Sequence, residues 1–186
     1  SKSVPAIFVA ADLADPVATR RVVAEGSRKF PTIDGLVNAA GLTDRGTIFD
    51  TSVELWDLLY AVNVRAPFIL TQEIATRLRD QKKPGSVVNV ITMSSHGGQP
   101  FLTAYSSSKG ALATLTKNTA HALRKNRIRV NGLNIGWMDT PGEHAIKARE
   151  GQPADWLQIA EKSQPFGRLL KPKDAAVLAV YLLSDA

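Results

Sequence analysis

The stretch Ser86-Val87-Val88-Asn89-Val90-Ile91, a glycine-bearing loop, a helical stretch over 103–124, then Ile128-Arg129-Val130-Asn131-Gly132-Leu133-Asn134-Ile135 decides the fold. Two short apolar runs rich in β-branched residues read as strands. The helix between them is too long for a hairpin and suits a crossover that returns the second strand parallel to the first. The same alternation continues outward. Upstream, Gly35-Leu36-Val37-Asn38-Ala39 reads as another strand, and Ala6-Ile7-Phe8-Val9-Ala10-Ala11 as a buried one. Asp15-Pro16, an N-cap followed by proline at the first helical position, opens a helix to about Lys29. Thr51-Ser52-Val53-Glu54 is a capping box that launches a long helical stretch to about Asp80. Downstream, residues 141–165 read as short helices with loops, and Pro172 opens a last helix to Leu183. Strands alternating with helices of this length predict an α/β fold, a parallel sheet with helices on both faces. Ligands of such sheets sit beyond the carboxyl ends of the strands, so the loops at Asp12, Asn38, Thr92 and Gly136 are the ones to watch.

Bulk composition narrows the function. The chain has 186 residues, 44% of them hydrophobic and 22% charged, ordinary values for one globular domain. No apolar run reaches the length of a membrane span, and Ser1-Lys2-Ser3-Val4-Pro5 has no signal-peptide layout. No membrane role and a cytoplasmic location are therefore expected. Cysteine is absent, which excludes disulfides and thiolate chemistry. The net charge of +6 gathers partly at Arg124, Lys125, Arg127 and Arg129. A helix C-terminus favours cations there, and no aromatic platform interleaves with them, so no nucleic-acid partner is expected. His96, His121 and His144 lack ligand spacing, and no metal site is expected.

Tyr105 and Lys109 lie four apart near the start of a predicted helix and so share one face. A free phenol titrates near ~10; a neighbouring ammonium favours the phenolate and brings it toward the working range of an acid–base catalyst. Thr92, thirteen residues before Tyr105, stands at the mouth of a strand where its hydroxyl could bond a substrate oxygen. Asn63 precedes Pro67 by four, so the Asn63 carbonyl loses its usual helical partner and a kink is expected, leaving that carbonyl able to hold a water.

Together Asn38-Ala39-Ala40-Gly41, Asn63, the strand ending at Thr92, Tyr105-Ser106-Ser107-Ser108-Lys109 and Arg129-Val130-Asn131 resemble the short-chain dehydrogenase/reductase family, single-domain branch. The resemblance covers nearly all of the chain; Ser94 to Leu115, with His96-Gly97-Gly98-Gln99-Pro100-Phe101, also looks like family members of unassigned substrate. It implies a Rossmann-like, doubly wound parallel sheet in a three-layer αβα domain over 1–186, with 141–165 as a substrate lid. It implies hydride transfer between NAD or NADP and a secondary alcohol or ketone, sugar-like substrates included. Tyr105 would be the acid–base. Lys109 would acidify Tyr105 and bind the nicotinamide ribose, Thr92 would replace the usual serine, and the Asn63 carbonyl would hold the relay water. Asp12 with Leu13 would face the adenine, and Asn38, Ala39, Ala40 and Gly41 the adenosine ribose. Gly136, Met138 and Thr140 would meet the nicotinamide and phosphate. Ser94, His96 and Trp137 are candidate substrate contacts, with Met138 and Trp156 as further pocket lining.

Three departures accompany the resemblance. Threonine 92 adds a methyl to the serine position, Ile135 takes a proline's place, and the family's first two strands, its Gly-rich loop and its last strand are not in this sequence. In the family's sheet order the strands at Ala6 and Gly35 would then stand on the order of 14 Å apart, three sheet spacings. Such a chain is not expected to fold alone, and a domain truncated at both ends is the expectation. The helices at 52–80 and 103–124 resemble those of the family's interfaces, so a homodimer or homotetramer is expected. Two other readings stand beside the oxidoreductase. An epimerase or dehydratase of the larger branch is disfavoured by the short lid and Arg129-Val130-Asn131. A nucleotide-binding scaffold without turnover is disfavoured by the Tyr105/Lys109 pair.

Overall fold

The structure is a computed structural model in which residues 4–185 are described. Ser1, Lys2 and Ser3, part of the stretch read for a signal peptide, lie outside the described residues, as does Ala186. Elements run α1 (Pro16–Lys29), β1 (Gly35–Asn38), α2 (Val53–Tyr60), a π-helical turn (Ala61–Arg65), α3 (Ala66–Asp80), β2 (Gly85–Thr92), α4 (Thr103–Leu123), β3 (Ile128–Ile135), α5 (Pro141–Arg149), α6 (Trp156–Lys162) and α7 (Pro172–Leu183). The strands form one parallel sheet in the order β1-β2-β3, with Asn38 opposite Asn89 and Thr92 opposite Ile135.

Helices cover both faces. On one, Val87, Ile128 and Val130 pack against Val23 of α1 and Ile74, Ala75 and Leu78 of α3, with Leu123 of α4 at the margin. On the other, Val88 and Leu133 pack against Ala179, Leu182 and Leu183 of α7. The central strand β2 is therefore apolar on both sides, as its continuous run required. Arg129 reaches from β3 to the end of α7 and donates to the carbonyls of Leu182 (2.8 Å) and Ser184 (2.7 Å), where a cation complements a helix C-terminus.

Three expectations need correction. Ala6–Ala11 is not a strand: it pairs with none of the three described strands, and Ile7 and Phe8 are 43% and 92% exposed. A strand needs a partner ladder and cover on its faces, and neither lies beside this run. The capping side chain before α2 is Ser52, which accepts from the Leu55 amide at 3.1 Å, whereas the Thr51 hydroxyl donates to the Thr47 carbonyl at 2.6 Å. The expected kink before Pro67 takes the form of the π turn, in which the Ala66 amide reaches back five residues to the Ala61 carbonyl. Widening the turn accommodates a proline that cannot donate.

Candidate active site

The candidate residues gather at the carboxyl end of β2. Thr92, its last residue, is buried, and its hydroxyl accepts from the Ser94 amide at 3.2 Å. The chain turns through Met93–His96 and then Gly97 and Gly98, whose φ values of 89° and 85° suit glycine, before entering α4. Tyr105 lies on the first turn of α4 and Lys109 one turn on, facing β2. Lys109 is 5% exposed and donates to the Val90 carbonyl at 2.9 Å, so the expected juxtaposition of strand end and helix face is present.

The electrostatics differ from the expectation. Burial pushes the Tyr105 phenol above its ordinary value; a hydrogen bond with Thr92 pulls it back, Glu143 pushes it up, and Arg45 pulls it down. Burial also lowers Lys109 to about 8. The Lys109 ammonium donates to the strand carbonyl of Val90, and Arg45 is a further cation that lowers the phenol.

Asn63 is fully buried and acts here through its side chain. Its carboxamide oxygen accepts from the Leu42 amide at 2.9 Å, and its nitrogen donates to the Leu42 carbonyl and the Ser108 hydroxyl, each at 3.0 Å. This stitches the loop after β1 to the helix carrying Tyr105. Gly41 lies directly over the stitch: a Cβ there would stand 3.2 Å from the Asn63 oxygen and 3.3 Å from the Lys109 nitrogen. Ala39, Ala40 and Gly41 expose their surface beside Lys109, whose other two N–H bonds remain to be used. A glycine-lined backbone next to a buried ammonium fits the ribose hydroxyls of a dinucleotide.

Other candidates are less direct. Asn38 turns inward and donates to Asn89 at 2.7 Å, so its side chain serves the sheet rather than the loop surface. Asp12 and Leu13 shape the turn before α1, where Asp12 accepts from the Ala14 amide at 2.8 Å, and Arg65 of the π turn fastens that turn through the Ala14 carbonyl. Gly136 follows β3. Met138 makes a bridge to Leu170, and Thr140 caps α5 by accepting from the Glu143 amide at 3.2 Å, which engages the hydroxyl expected near phosphate. His96 is exposed. Trp137 donates to Glu143 at 2.9 Å and stacks on Trp156, which packs into the α6 cluster with Ala160 and Leu169.

Arg45 and Glu143 escaped the sequence reading. Neither belongs to a spaced pattern; they come together because the loop before α2 folds against helix α5. Among the described residues no helix is long and apolar enough to cross a membrane.

A family model described as enoyl-(acyl carrier protein) reductase matches residues 1–186. The chain is 40% identical over 177 residues to carbonyl reductase (NADPH) 2 of Sus scrofa, covering 95% of this chain and 69% of that one. It is 33% identical over 168 residues to 3-oxoacyl-(acyl-carrier-protein) reductase of Thermotoga maritima, covering 89% and 65%. A solved structure of NAD+-bound xylitol dehydrogenase superposes with a TM-score of 0.81 at 25% identity, over 94% of this chain and 71% of that one.

Proposed function

The chain belongs to the short-chain dehydrogenase/reductase family and is an oxidoreductase acting on alcohols or ketones; from that premise we propose that Tyr105 is its acid–base residue. The observation that carries this reading is the phenol on the first turn of α4, close to the buried Thr92 at the end of β2 and with the buried Lys109 one turn on. At neutral pH a phenol held above its ordinary value keeps its proton. That is the form needed to deliver a proton to a ketone oxygen; the reverse direction takes the proton back from an alcohol. Thr92 offers its hydroxyl to the same substrate oxygen. NAD or NADP, when bound, supplies or accepts the hydride. Lys109 would hold the ribose of that cofactor, and Asn63 keeps Gly41 and α4 in register around it. Residues 1–186 then belong to one catalytic domain in which 141–165 serves as a lid over the substrate. Secondary alcohols and ketones are the substrate class, and the likeness to a xylitol dehydrogenase supports including polyols.

The test is Tyr105→Phe in the intact protein, assayed at the reduced-nicotinamide absorbance band over a panel of secondary alcohols and ketones. Turnover should disappear while cofactor binding survives. Turnover retained by the phenylalanine variant means that another group moves the proton.

A further inference from the structure

One side chain joins the loop before α2 to the segment over the site. Arg45 pairs with Glu143 of α5 at 3.1 Å and with Glu150 at the end of that helix, and its guanidinium lies 5.6 Å over the ring of Phe101. Its neighbours reinforce the joint. Asp44 pairs with Arg149 at 3.1 Å, and Gly46 makes a backbone bridge to Leu102, just ahead of α4, with the Gly46 amide donating to Phe101 and the Thr103 amide to Gly46. A cavity of about 190 Å³ runs along the seam, lined by Asp44, Arg45, Ile146, Arg149 and Glu150. Residues roughly a hundred positions apart thus meet at Arg45, next to the start of the helix that carries Tyr105.

We propose that Arg45 is a positioning residue, a latch that fastens α5 over the substrate site and aims its charge, with that of Glu143, at the Tyr105 phenol. The inference rests on the reading of Tyr105 as acid–base and adds the device that governs it. The charged and titratable groups around the phenol are few. On its own helix Lys109 is turned to Val90; from β2 comes the Thr92 hydroxyl; from the loop comes Arg45; from α5 comes Glu143, backed by Lys147 at 3.9 Å and Glu150. Arg45 and Glu143 act on the phenol with opposite signs, the cation lowering and the carboxylate raising it.

The experiment uses Arg45→Met, Arg45→Lys and Glu143→Gln in the intact protein. Tyr105 ionisation is followed by ultraviolet difference absorbance against Tyr105→Phe, after rapid mixing into alkali so that the fold has no time to open. Arg45→Met should titrate at higher pH than the parent and Glu143→Gln at lower pH. Arg45→Lys should restore the parent titration while leaving KM several-fold raised, because an ammonium cannot span both carboxylates as the guanidinium does. Titrations that move together, or not at all, overturn the electrostatic half; an unchanged KM in Arg45→Met overturns the latch. The absorbance readout needs no turnover, so it remains decisive even where Tyr105→Phe keeps its activity and the acid–base reading falls.

Discussion

The two sides of the candidate site are held by different forces. The inner wall, where β1, β2, the π turn and α4 meet, is joined by buried, largely neutral hydrogen bonds: Asn63 to Leu42 and Ser108, Asn38 to Asn89, Asn89 to Thr116. The outer rim, where the loop around Arg45 meets α5, is joined by ion pairs that retain contact with solvent. Buried hydrogen bonds are costly to break because a lone partner stays desolvated. Exposed ion pairs are weak, screened by salt and readily exchanged for water. The wall is therefore fixed geometry, and the rim is the part that can yield to let substrate pass.

This contrast can be broken at three points. The largest effect is expected from Asn63→Ala, which leaves the Leu42 amide and carbonyl and the Ser108 hydroxyl with a missing partner in a fully buried position. Stability should fall by about 1–3 kcal/mol, and kcat with it; a denaturation midpoint equal to the parent would show that the wall does not depend on this stitch. The next concerns Lys109. Its folded value of about 8 lies below the ordinary 10.5, so between those values the unfolded chain binds more protons than the folded one. Stability should rise with pH through that window relative to Lys109→Met, and the burial cost should be present in full below it. Urea midpoints measured for both proteins from pH 7 to 10.5 check this; a constant difference removes the buried ammonium. The smallest effect is on the rim. Moving from low salt to about 1 M, where screening reaches within ~3 Å, should raise KM while the thermal midpoint barely moves. A midpoint that falls in step with KM would mean that rim and wall are one unit.

Legibility in the sequence followed the same division. The wall is built from local, periodic signals: β3 lies at 128–135 as read, β2 extends the predicted run by one residue at each end, and α4 starts at Thr103 with Tyr105 and Lys109 on one face. Helix periodicity alone determines that facing. Ala6–Ala11 misled because an apolar run states a preference for burial but not whether a neighbour is there to provide it. Pro67 announced a disturbance, while the choice of a widened turn depended on how α3 had to meet the sheet. Arg45 and Glu143 left no trace, since a pair separated by 98 positions has no period. Spacing along the chain points to Lys109 as the cation beside Tyr105, whereas Arg45 is brought near only by folding.

The π turn also fixes the length of the chain between α2 and α3. It lets Leu59, Asn63, Pro67, Thr71, Ala75 and Leu78 share a stripe that an unbroken α-helix would spread around its circumference. Each residue of an α-helix advances the winding by about 100°, and a π turn holds one residue more than the α turn it replaces, so losing one from Ala61–Arg65 would let an unbroken α-helix run through with everything beyond it on its present bearing. The same loss just beyond, in the first turns of α3, has no extra residue to draw on: Gln72 would take the bearing of Thr71, Thr76 that of Ala75, and Arg79 that of Leu78. A single-codon deletion would thus keep the register inside the π turn but, a few residues on, would deliver a guanidinium to the middle of the core.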